Sequence, residues 1–237
     1  MAHVHIHEMG LPVLGREEDA ADTFAALTML KIGSNFSLRV LSDAAKGWFL
    51  NDRRDQQTGA KPLYYDEHDL SPQRAFQIVC LMVGSDPAKF KDLATETKMP
   101  ASRQESCKQD YANASRSWGM VLTPHLRAPG QPETEIEVVY GDAKGDLEAF
   151  AKSFRAVRLL ETVAERSRAD YAWPVPFLLE TQSCGRPGAN FDPDTRKLTM
   201  CYEQAFDFAE LYRAYVSLSA PPPPVSPAPT GRKRKSK

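Results

Sequence analysis

Four cysteines constrain this chain most, because Cys80 with Cys107 and Cys184 with Cys201 form two local pairs, 27 and 17 residues apart. An even count in local pairs suits two disulfides, each closing inside its own half of the chain. The competing reading is four reduced, buried thiols in a reducing compartment. No CxxC pair is present, which argues against a zinc ribbon. The 237-residue length suits one or two domains, and 42% hydrophobic residues suffice for a core. With 30 basic and 31 acidic residues the formal net charge is -1, which argues against a nucleic-acid-binding surface. No apolar run reaches the roughly 20 residues needed to span a bilayer. The opening Met-Ala-His-Val-His-Ile-His shows neither the basic start nor the apolar stretch of a secretory signal.

Periodicity divides the chain further. Leu14 to about Phe49 reads as helical: Glu17, Glu18 and Asp19 suit a helix start, and Ala20, Ala21, Phe24, Ala25, Leu27 and Leu30 follow at helical spacing. Pro12 and Gly15 mark the turn before it, and Gly33-Ser34 separates a second helical stretch from about Phe36 to Leu50. Ser71-Pro72 reads as an N-cap followed by proline at the first helical position. Phe76, Val79, Cys80 and Val83 line one face of that helix, which Gly84 and Pro87 are expected to end. Ala101 to Val121 is a further helix, and a Cys80–Cys107 bond would clamp the two together. Beyond Pro124, Glu133 to Tyr140 alternates as a strand, and Leu147 to Ala169 reads as one long amphipathic helix bearing Phe150, Phe154, Val157, Leu160 and Val163. Trp173 to Leu179 and Leu198 to Tyr202 are short candidate strands, and Phe206 to Val216 closes as a helix. The proline run from Pro221 and the basic Arg232 to Lys237 read as a disordered, solvated tail, with attachment to an anionic surface as the other reading.

The candidate chemistry lies at the start. Helical zinc proteases carry HExxH, whose two histidines share a helical face and whose glutamate is the general base. The chain contains no HExxH, but His3 is followed fifteen residues on by Glu18, with Asp22 one turn further. In glutamate-type zinc proteases such a glutamate is the third metal ligand, and the aspartate can orient a metal-bound histidine from behind.

The run from His7 to Ala25, with Gly15-Arg16-Glu17-Glu18-Asp19-Ala20-Ala21-Asp22 at its centre, resembles a bacterial family of predicted metallopeptidases, catalogued mainly as a domain of unknown function. In that family the run immediately follows an HExxH helix. The resemblance therefore places His3 on the second histidine of the motif, with Met1 and Ala2 as its middle residues. The first histidine and the catalytic glutamate are then expected just ahead of Met1. Tyr64 to Arg74, Cys80 to Pro87 and Arg103 to Cys107 also resemble family segments. So do Cys184-Gly185, Asn190-Phe191-Asp192-Pro193 and Cys201-Tyr202-Glu203, although that segment commonly precedes the motif helix and here follows it, as in a second copy or an added domain. The resemblance spans most of residues 3 to 216, and the run from Gly15 to Asp22 is its most specific part.

Each of these residues also has a plainer reading. His3, His5 and His7 alternate as a metal-binding tag would, and His7-Glu8 is followed by Leu11 where a second histidine is needed. Glu17, Glu18 and Asp19 by themselves are a charged first turn. His68 reads first as a satisfied surface histidine and second as a substrate-side residue, and Asn190 and Asp192 read as turn formers. A nucleophile elbow and a phosphate-binding glycine loop are both missing.

The expectation is an α+β, mainly helical protein: a zincin-like helical core over residues 1-124, a cysteine-containing α+β region over 125-219, and a tail over 220-237. His3 and Glu18 are expected to bind Zn(2+), with Asp22 behind them. Cys80, Cys107, Cys184 and Cys201 are expected in disulfides. The partner is a peptide or protein substrate, with no nucleic acid and no transmembrane segment. Without its base the chain is expected to be inactive and to bind zinc weakly. The alternative is a non-catalytic, disulfide-clamped binding or structural module; a small-molecule hydrolase with the same zinc centre is a third reading. Location is periplasmic or secreted if a signal peptide lies ahead of Met1, and otherwise cytoplasmic.

Overall fold

Residues 78–84 are an unbroken buried run, and in the computed structural model, which describes residues 1–219, they lie in a helix at the centre of a helical layer. In chain order the elements are α1 (Ala2–Glu8), α2 (Glu17–Ile32), α3 (Asn35–Thr58), α4 (Ser71–Ser85), α5 (Lys91–Glu96), α6 (Ala101–Leu122), β1 (Ile136–Tyr140), α7 (Glu148–Ala156), α8 (Leu159–Asp170), β2 (Phe177–Gln182), β3 (Ala189–Asp192), β4 (Lys197–Cys201) and α9 (Tyr202–Ser219). The fold is mainly helical α+β, and both expected disulfides are formed, Cys80 with Cys107 and Cys184 with Cys201. The proline-rich basic tail lies outside the described residues.

Helix α4 buries Ile78, Val79, Cys80, Leu81, Met82 and Val83 between α2, α3 and α6. A helix that is apolar all round must be enclosed by others. Gly84 does not end it. A Cβ at Gly84 would stand 2.1 Å from the Cys107 carbonyl oxygen, so this glycine lets α4 and α6 touch backbone to backbone beside the disulfide. The N-cap also differs by one residue: Leu70 occupies that position, and the Ser71 hydroxyl accepts from the Asn51 side chain instead. Between α2 and α3 the expected break is present, with Gly33 left-handed at φ 64° and the Ser34 hydroxyl capping the Ser37 amide.

A second core joins α1 and its following turn, through Val4, Met9 and Leu11, to Ile136, Leu160, Ala164, Trp173, Phe177 and Leu179. The sheet runs β1-β2-β4-β3, with β1, β2 and β4 parallel and β3 antiparallel to β4. Strand β3 was not legible in the sequence: Asn190 lies within it, and Asp192, at its end, accepts from the Asp194 and Thr195 amides in the next turn. The long helix expected from Leu147 to Ala169 is broken at Arg158, which is left-handed at φ 51°. The Tyr140 hydroxyl, delivered by β1, accepts from the Leu160 amide and donates to Glu161, so a tertiary contact caps α8 and tips Leu160 into the core.

Candidate metal centre

One face of the short helix α1 is consumed by packing, and the other faces a cleft. Val4, His5 and Ile6 are buried, whereas His3 and His7, one turn apart, look outward. Opposite them α2 begins. Arg16, extended at its N-cap, is followed by Glu17, Glu18 and Asp19, whose charges suit the free amides of a helix start. The two helix ends therefore put imidazoles against carboxylates. The His3 Nδ1 lies 2.7 Å from Glu17 Oε1, and its Nε2 lies 3.5 Å from Glu18 Oε2. His7 Nε2 stands 3.3 Å from the same Glu17 oxygen.

A third imidazole arrives from the segment between α3 and α4. His68 Nε2 is 3.0 Å from Glu18 Oε2, and its Nδ1 is 3.2 Å from Asp66 Oδ1. Asp66 also accepts the His68 backbone amide at 2.9 Å, and these bonds hold its carboxyl below the usual range. The next residue, Asp69, pairs with Arg16, which fastens this segment to the start of α2. The sequence offers two roles for His68, a surface histidine and a substrate-side residue, and its place inside the Tyr64-to-Arg74 resemblance bears on the second.

Asp22 is not brought to a histidine. Its two oxygens accept from Arg74 Nε at 2.6 Å and Nη2 at 2.8 Å, and that guanidinium lies over Trp48 at 3.8 Å. Asp22 therefore joins α2 to α4 and stands one turn behind Glu18. His5 points away from the cleft into a box of Phe24, Tyr171 and Trp173, with ring centroids 4.5 to 4.7 Å away. Burial pushes its pKa down to about 4, and its Nε2 has no hydrogen-bond partner.

The cleft has a volume of about 840 Å³. It is lined by His3, His7, Glu17, Glu18 and His68, together with Gly188 and residues Ala189 to Phe191 of β3. Strand β3 is at the sheet edge, paired among the described residues with β4 alone. Cys184, Cys201 and Glu203 are the one trio of potential ligands among the described residues whose donor atoms all lie within 4.8 Å of each other. Their sulfurs are bonded to each other, and Glu203 accepts the amides of Cys184 and Gly185, so this trio is structural.

A family described as "Putative metallopeptidase" matches residues 1–122, from α1 to the end of α6, which carry His3, Glu17, Glu18 and His68. No curated protein and no solved structure matches the chain.

Proposed function

The chain belongs to this metallopeptidase family, and from that premise we propose that the cleft between α1 and α2 is a zinc site serving peptide-bond hydrolysis, with His3 and Glu18 as metal donors. The observation that carries the reading is the surroundings of His3: a carboxylate faces each of its ring nitrogens. A neutral imidazole has one N–H and one lone pair. With Glu17 against Nδ1, the Nε2 nitrogen is left facing Glu18, and a metal ion can bridge that pair. Donors on a tetrahedral zinc with bonds of about 2.0–2.1 Å lie roughly 3.3 Å apart, close to the 3.5 Å between His3 Nε2 and Glu18 Oε2. Glu17 then fixes the ring and its tautomer, as carboxylates behind metal-bound histidines do.

When bound, zinc supplies Lewis-acid activation of water and polarisation of the carbonyl to be attacked. The protein's own part is orientation. Strand β3 is an edge strand with residues in the cleft lining, and an extended peptide paired to it is the proposed substrate mode.

The test is zinc content after dialysis, together with peptide hydrolysis. Weak, saturable zinc binding in equilibrium dialysis is expected for the wild type, and far weaker binding for Glu18→Gln or His3→Ala. Equal zinc in all three proteins would overturn the site. Peptide hydrolysis that Glu18→Ala leaves undiminished would overturn the assignment of Glu18 to the metal.

A further inference from the structure

The charges that line the cleft are unequally answered. Arg16 is held by Asp19 and Asp69, Glu17 meets His3 and His7, and Glu18 meets His3 and His68. Arg186 lines the same cleft and is exposed, and among the described residues it has neither an ion pair nor a side-chain hydrogen bond. Of the two guanidinium groups in the cleft lining, it is the one whose donors are open to a ligand.

Its backbone is braced on both sides. The Cys184–Cys201 bond closes the loop that carries it, and Cys201 is itself part of the cleft lining. Glu203 accepts the amides of Cys184 at 3.0 Å and of Gly185 at 2.8 Å, immediately before Arg186. Two residues after it, the Gly188 carbonyl accepts the Cys201 amide at 3.0 Å, and edge strand β3 begins at Ala189. Arg186 therefore stands on a fixed stretch at the entry to the strand that pairs with a peptide in the reading above. A guanidinium is a planar fork of donors that matches a carboxylate. Elsewhere the lining carries Glu17, Glu18 and Glu67, which repel an anion, so an acidic group on a bound peptide has one favourable place.

We propose that Arg186 sets substrate preference by binding a carboxylate of the peptide in the cleft, from an acidic side chain or from the chain end. This rests on the peptide-cleft reading above and not on the metal. An exposed pair of this kind contributes about fivefold in affinity at most, and salt weakens it.

The test is fluorescence anisotropy on the full chain, in chelator so that no metal holds a carboxylate. The probes are labelled, C-terminally amidated octapeptides of alternating alanine and serine, with one glutamate moved along them and glutamine counterparts. The same alanine-serine peptide with a free C-terminus completes the set. At one glutamate position, or with the free C-terminus, binding should be about fivefold tighter than for the neutral peptide. The first result assigns the carboxylate to a side chain and the second to the chain end. Arg186→Gln should abolish that preference and leave binding of the neutral peptide unchanged, which also shows that the variant is folded; Arg186→Lys should retain part of it. Peptide binding with no acidic preference, or a preference that survives in Arg186→Gln, would overturn the proposal and leave the peptide cleft standing. A chain that binds none of these peptides would overturn both.

Discussion

Replacing Gly84 by alanine should destabilise the protein through a single methyl group. The Cβ would lie 2.1 Å from the Cys107 carbonyl oxygen, 2.7 Å from its carbonyl carbon and 2.8 Å from Tyr111 Cβ. Carbon–oxygen contacts settle at about 3.3–3.6 Å, so α6 would have to retreat by more than about 1 Å. The obstacle is backbone, and the Cys80–Cys107 bond, with Cα atoms 5.0 Å apart, resists separation of the two helices. Overpacking costs about 1–3 kcal/mol, and a rigid obstacle argues for the upper end. Alanine returns about 1 kcal/mol in helix propensity, which leaves a net loss of about 2 kcal/mol. For a chain of this size that is a fall in Tm of about 4–8 °C. Gly119→Ala is the matched control: it lies inside α6 with nothing within 4 Å of the added Cβ, and should raise Tm slightly. Thermal unfolding followed by circular dichroism reads both. A Gly84→Ala protein melting at or above the wild-type temperature would refute the argument that this glycine exists for helix contact.

Three further outcomes are expected. Removing the Cys80–Cys107 bond, which closes 27 residues, should cost about 3.6 kcal/mol, against about 3.1 kcal/mol for the 17 residues of Cys184–Cys201. Denaturant unfolding of the two double-serine variants measures this, and losses below about 1 kcal/mol would show the loops already constrained in the unfolded chain. Arg74→Ala strands Asp22 between α2 and α4 and should cost about 2 kcal/mol; adding Asp22→Asn should recover part of the loss, and strict additivity in the double-mutant cycle would deny the coupling. Burial pushes the Glu203 carboxyl up, but amide donors including those of Cys184 and Gly185 outweigh it and leave the group below its ordinary value of 4.5. Its contribution is therefore present above that ordinary value and is lost as pH falls through the lowered one. Glu203→Gln should lower stability at pH 7 and lose that effect in strong acid, as urea unfolding at the two pH values would show.

Local signals carried a large part of this protein. The spacing of Phe24 and Leu27, the apolar run around Val79 and the break at Gly33-Ser34 act within a few residues, so these helices could be read directly, though not the ends of α4. The cysteines paired as neighbours because each bond closes a short span. His3 and Glu18 could be coupled because the resemblance covers the short stretch that holds both. Where the reading failed, the deciding partner lay far along the chain. The Tyr140 hydroxyl breaks the helix at Arg158, Arg74 takes Asp22 from 52 residues away, and Cys107 gives Gly84 its purpose. His68 depends on Glu18, 50 positions earlier, and on the Arg16–Asp69 pair that holds the intervening segment against α2. By itself the sequence indicated most of the long helices and which cysteines are neighbours able to bond, since propensity, periodicity and short-loop closure are near-neighbour effects. Only the tertiary structure decided which charges meet across the cleft, because a carboxylate's partner is set by packing that brings distant segments together.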